Sequence, residues 1–402
     1  MFSFFGPKSE LGIVFHIGSS SVGAGLIRLK KGDVPHVIYS LREDIPYREN
    51  VEADKFLSEM IEALKRVNSR MAKDGLSHLK FTEFGSLKIK RVFYVFASPW
   101  SVTQTKIASI RKPEPFVLTK EMVNAVIDEQ EKIFEKETLG KEELIDKLQA
   151  IEKRVIQVKL NGYEVSDPYG REATTADISL FVSIIPKAVV SKVFDVSMTT
   201  YHPKDTSVFS FPLASFSTLR DVFHTENDFI FLDVGGELSD ISIIKDGLIL
   251  ETASFPLGRN FLLRKLAKTL SKSSEEAASL IKLYHEGGAE TSLEEKLKPI
   301  MLEASEEWLG ALGSVLSKMS VRSSLPTNMF AVINNDFVPF FMKALRSERV
   351  SEFSMVDVPL TVTLVNYDKL KAAVLFGKHA DKDPFIAILA AFAGRVYETK
   401  KR

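Results

Sequence analysis

The chain has 402 residues, of which 45% are hydrophobic, so it is long enough for two or more domains with sizeable cores. Its 53 basic and 53 acidic side chains cancel, and no net field therefore favours binding to nucleic acid. The absence of cysteine excludes a disulfide framework and thiolate metal sites, and the seven histidines are too scattered to suggest a zinc site. No apolar run reaches the ~18 residues that a membrane-spanning helix requires.

The first recognisable element is an apolar run, a short turn and a second apolar run over residues 14–27. This pattern is typical of a β-hairpin. The turn contains only small residues, so the backbone N–H groups at its tip are unshielded and can bind phosphate. A third strand near residues 37–40 and an amphipathic helix over residues 53–73 are expected to follow. The candidate phosphate-binding residues of this hairpin are Gly18, Ser19, Ser20 and Ser21.

Residues 91–198 indicate a subdomain of mixed strands and helices. We expect a strand, a helix, two strands and a final helix, over residues 91–97, 119–136, 155–160, 178–184 and 187–198. The alternating charges of residues 129–153 predict a solvated helical hairpin, with a partner-binding coiled segment as the alternative. Aromatic side chains of this subdomain are candidate contact residues, and burial in a small core is the competing interpretation. They are Tyr94, Trp100, Tyr163 and Tyr169.

A second hairpin pattern of the same kind occupies residues 231–244. An acid at the end of its first strand would lie near a metal ion that neutralises phosphate, so Asp233 is the candidate ligand for a weakly held Mg²⁺. The matching position of the first hairpin is His16. One such hairpin is a weak signal, but two that face each other across a cleft can hold one polyphosphate. The second hairpin contributes Asp233, Gly235, Gly236, Ser239 and Asp240.

The rest of the chain is expected to be mainly helical. Residues 260–322 carry apolar stripes at helical spacing, and a buried strand is expected at residues 329–333. The final helix, over residues 384–396, is apolar on all sides and is therefore expected in the core.

The order and spacing of these motifs, from about residue 11 to residue 390, resemble the actin-like ATPases of bacteria, specifically the FtsA and PilM group. The resemblance implies an α/β fold of the actin-like, duplicated ribonuclease H-like type, with two lobes and an inserted strand–helix–strand–strand subdomain for protein contact. It also implies five segments: a first lobe, the insertion, a return to the first lobe with the start of the second, a helical cap, and the end of the second lobe. These cover residues 1–90, 91–198, 199–260, 261–325 and 326–402.

The same resemblance implies ATP with Mg²⁺ as the cofactor, but several expected contacts are changed. His16 replaces an acid of the first hairpin, and Phe211 stands where FtsA tends to carry a Glu that could orient the attacking water. Glu237 replaces a Gly, residues 333–336 replace a Gly-rich turn under the adenosine, and Ser279 replaces a Glu on the adenine side. We therefore expect weak or absent ATP binding and lost hydrolysis.

Other positions keep the residues that the resemblance requires for nucleotide binding. If the site were active, Asp233 and Asp240 would be its catalytic residues. Beyond the two hairpins, the candidate nucleotide-binding residues are Lys282, Asn334 and Asn335.

The leading functional hypothesis is an FtsA-like cytoskeletal adaptor with little or no ATPase activity, which links a cytoplasmic filament or partner to an envelope machine. A PilM-like component of type IV pilus assembly is the first alternative, and an active, ATP-dependent filament-forming ATPase is the second. The expected partners are division-filament or pilus-assembly proteins, with self-association into filaments or dimers as a further hypothesis. The expected location is cytoplasmic, at the inner face of the cell membrane. Membrane contact would be indirect or through the Phe-rich N-terminal segment that contains Phe2, Phe4 and Phe5.

Overall fold

The computed structural model describes residues 9–46, 52–79, 88–139, 147–286, 288, 290–321, 324–353 and 360–400. The Phe-rich N-terminal segment lies outside these ranges. Within them the chain forms two lobes, each built on a β-sheet, with a third sheet inserted into the first lobe. No helix in this part of the chain is long and apolar enough to cross a bilayer.

The strands of the described residues are, in chain order, β1 (Glu10–Ile17), β2 (Ser21–Leu29), β3 (His36–Asp44), β4 (Ile89–Phe96), β5 (Val102–Val117), β6 (Leu148–Leu160), β7 (Tyr163–Glu164), β8 (Glu172–Pro186), β9 (Asp205–Ser210), β10 (Phe229–Val234), β11 (Ser239–Lys245), β12 (Leu248–Phe255), β13 (Asn328–Ile333), β14 (Thr361–Leu364) and β15 (Leu375–His379).

The helices of the same residues are α1 (Ala53–Arg70), α2 (Lys120–Leu139), α3 (Lys187–Tyr201), α4 (Phe211–Val222), α5 (Arg259–Leu270), α6 (Ser274–His285), α7 (Thr291–Ser320), α8 (Val338–Leu345), α9 (Tyr367–Leu370) and α10 (Pro384–Lys400). A π-helical turn, Met71–Gly75, continues α1, and 3-10 segments occur at Leu76–His78, Asn335–Phe337 and Glu348–Phe353.

The two lobe sheets repeat one topology. The described strands of the first lobe are ordered β15-β3-β2-β1-β4-β9, and those of the second lobe β12-β11-β10-β13-β14. In each lobe an antiparallel hairpin has a third antiparallel strand on one side and two parallel strands on the other. The hairpins begin at β1 and β10, where the two sequence patterns predicted them. The repeat therefore confirms the two-lobed, duplicated α/β fold.

Alternation along β1 decides which helices each face of the first-lobe sheet contacts, because successive side chains of a strand point to opposite faces. Ile13, Phe15 and Ile17 pack with α1 and α3. Val14 packs instead with α4 and α10, and the His16 ring lies on that same side. Apart from its C-terminal turn, α10 is largely buried, as expected for a helix that is apolar on all sides.

The inserted subdomain is smaller than predicted. Its sheet has the described strands β5-β8-β6-β7, with α2 packed on it, and begins at Val102 and ends at Pro186. The segment 91–198 is therefore too long at both ends. β4 pairs with β1 and β9 in the first-lobe sheet, and α3 packs on the same sheet beside α1.

The predicted helical hairpin over residues 129–153 is also wrong. α2 ends at Leu139, residues 140–146 lie outside the described ranges, and β6 starts at Leu148. β6 pairs with β8 from Leu148 onwards, and this long antiparallel pairing outweighs the helical preference of its charged residues.

The second lobe contains the predicted helical segment, now seen as α5, α6 and α7. Trp308 is fully buried at its centre and donates a hydrogen bond from Nε1 to the Leu257 carbonyl oxygen at 3.1 Å. Ser239 Oγ accepts from the same indole nitrogen and donates to the same carbonyl. The Ser239 hydroxyl therefore joins the second hairpin to the helical cap.

Candidate functional site

The tips of the two hairpins meet between the lobes. Ser19 Oγ accepts hydrogen bonds from the backbone N–H groups of Gly236, at 3.0 Å, and Glu237, at 2.9 Å. These are the donors that would otherwise be available to a phosphate. The approach requires glycine, because a Cβ atom at Gly236 would lie 2.5 Å from the backbone nitrogen of Ser20. The first-lobe tip therefore occupies the anion-binding face of the second.

Neighbouring elements hold both tips in place. Trp100 donates from Nε1 to the Gly18 carbonyl at 2.8 Å and so fixes the first tip. The N–H groups of Arg259 and Asn260, at the start of α5, donate to the carbonyls of Gly235 and Gly236, each at 2.9 Å. Since these N–H groups belong to the first turn of a helix, the positive end of α5 also points at the second tip rather than at an open anion site.

Arg259 crosses between the lobes. Its Nη2 donates to the Ser20 carbonyl at 3.1 Å and to Asp44 Oδ1 at 2.6 Å, and the residue is almost completely buried. Charge-assisted hydrogen bonds of this kind are stronger than neutral ones. Arg259 therefore ties α5 of the second lobe to the hairpin tip and β3 of the first.

Glu237 points away from the cleft. Its carboxylate accepts from Arg264 Nη2 at 2.7 Å and from Asn260 Nδ2 at 2.7 Å. The replacement of a glycine by Glu237 therefore does not place negative charge in the cleft, because two residues of α5 hold the carboxylate.

His16 is a neutral residue of the cleft wall. Its ring lies 4.9 Å from that of Phe211 and 4.8 Å from that of Phe385, measured between centroids. Arg42 Nη1 lies 3.2 Å from His16 Nδ1. Burial, with the charge of Arg42 as a second cause, lowers the pKa of His16 to about 3, against a smaller opposing effect of Asp383. His16 therefore cannot replace the missing carboxylate as a metal ligand or as a cation at neutral pH.

The carboxyl group of Asp233, like the ring of His16, has a shifted pKa. It is buried, its Oδ1 has no partner among the described residues, and it faces Asp240 across the β10–β11 pair. Burial and then the Asp240 charge raise the pKa of Asp233 well above its ordinary value, while Arg42 opposes this. Burial likewise raises the pKa of Asp240 to about 6, although Ser254 donates to its carboxylate. A neutral Asp233 is a poor ligand for Mg²⁺, which prefers ionised oxygen ligands.

The described residues leave little space in the cleft. The cavity between the hairpins has a volume of about 20 Å³. That volume suffices for one water molecule, whereas small-molecule sites usually have ~300–1,000 Å³. ATP with Mg²⁺ does not fit these residues in this arrangement, because the hairpin donors are occupied and the volume is too small.

The structure brings together most, but not all, of the candidate residues. Ser239 is structural, and Asp240 lies one pair beyond the hairpin turn, beside Ser254. Lys282 lies exposed on α6 near Glu286, and Asn335 is exposed. Asn334 lines the cleft, and its Oδ1 accepts from the Asp336 N–H at 3.1 Å. The candidates that line the cavity are Gly18, Ser19, Ser20, Ser21, Asp233, Gly235, Gly236 and Asn334.

Three residues that fill or brace the cleft were missed by the sequence reasoning. Arg42 donates to Asp383 at 2.6 Å and to Ser21 Oγ at 2.9 Å, Arg259 bridges the lobes, and Phe385 begins α10 against His16. Each lies far along the chain from the residues that it contacts, and a lone Arg in a strand or at a helix start carries no local signal. The alternation of β3 could have placed Arg42 on the cleft side.

No family description and no curated protein matches the sequence of this chain. Its structure is similar to that of a chain of a PilM–PilN type IV pilus biogenesis complex, with a TM-score of 0.56 and 12% identity, over 95% of this chain and 98% of that one.

Two further solved structures are similar at lower scores. The ethanolamine utilization protein EutJ from Carboxydothermus hydrogenoformans gives 0.42 at 13% identity, over 97% of this chain and 90% of that one. A protein of unknown function with an actin-like ATPase fold, from Bacteroides thetaiotaomicron VPI-5482, gives 0.43 at 11%, over 98% and 99%. These two scores are too low to support an argument. The repeated topology and the first similarity together show that the chain has the two-lobed actin-like ATPase fold.

Proposed function

We propose that this protein is a non-hydrolysing actin-like adaptor, which binds protein partners at the cytoplasmic face of an envelope machine. The observation that carries the proposal is the closed cleft, in which Ser19 takes the N–H groups of Gly236 and Glu237. In an active member of this fold those groups would be available to phosphate.

Loss of catalysis follows from the residues around the closed cleft. His16 is neutral and packed between two aromatic rings, and Phe211 is buried at the start of α4. The loss of one transition-state contact commonly lowers a rate by ~10²–10³. Two such losses, with a cavity of about 20 Å³, leave no basis for efficient turnover.

For the envelope machine we propose an assembly of the type IV pilus kind, in which this protein has a PilM-like role. It is supported by similarity over nearly the whole chain to a structure of a PilM–PilN complex. An FtsA-like role in cell division is the alternative, favoured by the strand–helix–strand–strand insertion. In both cases the protein would lie at the inner face of the cell membrane.

The inserted sheet is the proposed contact surface. Tyr163, at the β6–β7 turn, is 79% exposed, and Ile107 on the edge strand β5 is 63% exposed. Exposed aromatic residues are frequent binding hot spots. By contrast, Tyr94 and Trp100 are buried in the first lobe, which supports the core interpretation for those two.

The test is direct binding to a PilN-type protein and to a division-filament protein, each measured with purified components. We expect Tyr163→Ala to weaken binding at least tenfold and Leu302→Ala to leave it unchanged, because Leu302 is also exposed, at 64%, but lies on α7 of the second lobe. Tight, saturable ATP binding with turnover would overturn the proposal, as would failure to bind either partner.

A further inference from the structure

The cavity between the hairpins has unpaired polar atoms on both lobes. They are His16 Nε2 and Arg42 Nη2 from the first lobe, and Asp233 Oδ1 and Arg259 Nε from the second, none of which has a hydrogen-bond partner among the described residues. His16, Asp233 and Arg259 are 4%, 2% and 7% exposed. Buried polar atoms in native proteins are nearly always satisfied, so four around one cavity require an explanation.

The nitrogen atoms among these four are donors. A guanidinium group only donates, so Arg42 Nη1 donates to His16 Nδ1, and the proton of the neutral imidazole is then on Nε2. Arg42 Nη2 and Arg259 Nε are donors by the same rule. The three residues that carry these N–H groups, which are unpaired among the described residues, all line a space for one water-sized particle.

Asp233 is compatible with the same ligand. Its carboxyl group is buried, Oδ1 has no partner among the described residues and the residue lines the same cavity, and a carboxyl oxygen that carries a proton can donate a fourth hydrogen bond. A water molecule can accept only two hydrogen bonds, so it would leave donors unpaired, whereas a spherical anion can accept from all of them.

The charges around the cavity also favour an anion. Arg42 is paired with Asp383, whose side chain is 15% exposed, and Arg259 is paired with Asp44, whose side chain is 74% exposed. Water screens an exposed carboxylate far more than a buried guanidinium. The charge of Arg259 is therefore only partly compensated inside the cavity.

We propose that the cavity binds one monatomic anion of the halide class, which joins the lobes through His16 and Arg42 on one side and Asp233 and Arg259 on the other. Chloride is the natural ligand of this chemistry. The inference rests on the closed cleft of the proposed function, and it gives that cleft a non-nucleotide ligand that keeps it closed.

The direct test uses bromide. Crystals of the full chain grown in sodium bromide are expected to show an anomalous peak in this cavity, within hydrogen-bond distance of Arg259 Nε and His16 Nε2. The proposal would be overturned if the cavity showed no electron density, or if it showed the density of a water molecule with no anomalous signal.

A solution test separates anion binding from general salt effects. The Tm in chloride is compared with that in gluconate at equal ionic strength, and we expect a rise of about 1–2 °C for each tenfold increase in free chloride above its Kd. His16→Phe keeps a ring between Phe211 and Phe385 but removes the donor, so it should abolish the chloride effect. Asp233→Asn keeps a neutral donor and should retain it. Equal Tm values in the two salts for the wild-type protein would contradict the proposal.

ATP binding is measured on the same preparation. A protein that binds ATP and shows no bromide in the cavity would refute the proposed function. A protein that binds neither ATP nor bromide would refute only the halide site.

Discussion

Replacement of Gly236 by Ala tests the contact between the two hairpin tips. The added Cβ atom would lie 2.5 Å from the Ser20 backbone nitrogen and 2.8 Å from Ser19 Oγ. Overpacking of this kind usually costs ~1–3 kcal/mol, and loss of the two hydrogen bonds to Ser19 adds about 0.5–1.5 kcal/mol each. Because the neighbour is backbone, the tips must separate. We expect a total loss of about 2–6 kcal/mol, which lowers the Tm of a chain of this length by about 2–7 °C.

The matched control is Gly310→Ala. Gly310 lies in α7, and the nearest atom to an added Cβ is 4.0 Å away. Alanine is the better helix former by up to ~1 kcal/mol, so this variant should be equally or slightly more stable than the wild type.

Thermal unfolding measures the stability of both variants, and hydrogen exchange measures the amides of Gly236 and Glu237. In Gly236→Ala these two amides should exchange faster, because Ser19 no longer accepts from them. If Gly236→Ala and Gly310→Ala have the same Tm and the same amide exchange at the second hairpin tip, the two hairpin tips are not in contact.

Three further predictions concern the cleft and the insertion. His16→Asp should not restore ATP hydrolysis, because Phe211 and the closed tips remain; measurable turnover in this single variant would show an otherwise intact site. The raised pKa of Asp240 means that the stability of the wild type, relative to that of Asp240→Asn, falls as pH rises from 3.8 through about 6, which denaturation at a series of pH values would show. A pH-independent difference would contradict the burial of that carboxyl group. Deletion of residues 102–186 should leave a folded two-lobed core that no longer binds its partner, because Val102 pairs with Ile184 and the ends of the cut are therefore adjacent. Deletion of residues 90–198 should instead unfold the protein, because it removes β4 and α3. Circular dichroism and partner binding decide both cases.

The sequence predicted the elements whose signals are local. Both hairpins were visible because small residues separate two apolar runs, and α10 was placed in the core because it is apolar on every side. The second half of β6 was predicted as the strand 155–160, but its first half was missed because its charged residues resemble a solvated helix, and only pairing with β8 makes it a strand. Local sequence patterns do not report such pairing partners.

The closed state of the cleft could not be predicted in the same way. The substitutions at His16 and Phe211 suggested a degenerate site, but closure depends on Ser19 meeting Gly236, 217 residues further along the chain. Arg259 reaches across the same gap to Asp44. These contacts depend on how the lobes pack, which no local pattern of residues specifies.

The most direct test of the central claim is calorimetry of the full chain with ATP and magnesium, combined with a turnover assay. We expect no hydrolysis above buffer and either no binding or binding with a Kd above ~100 μM, equivalent to a binding free energy of ~5.5 kcal/mol or less. Micromolar binding of ATP with one site per chain would contradict it, because the hairpin N–H groups would then have to be free for phosphate rather than bound to Ser19.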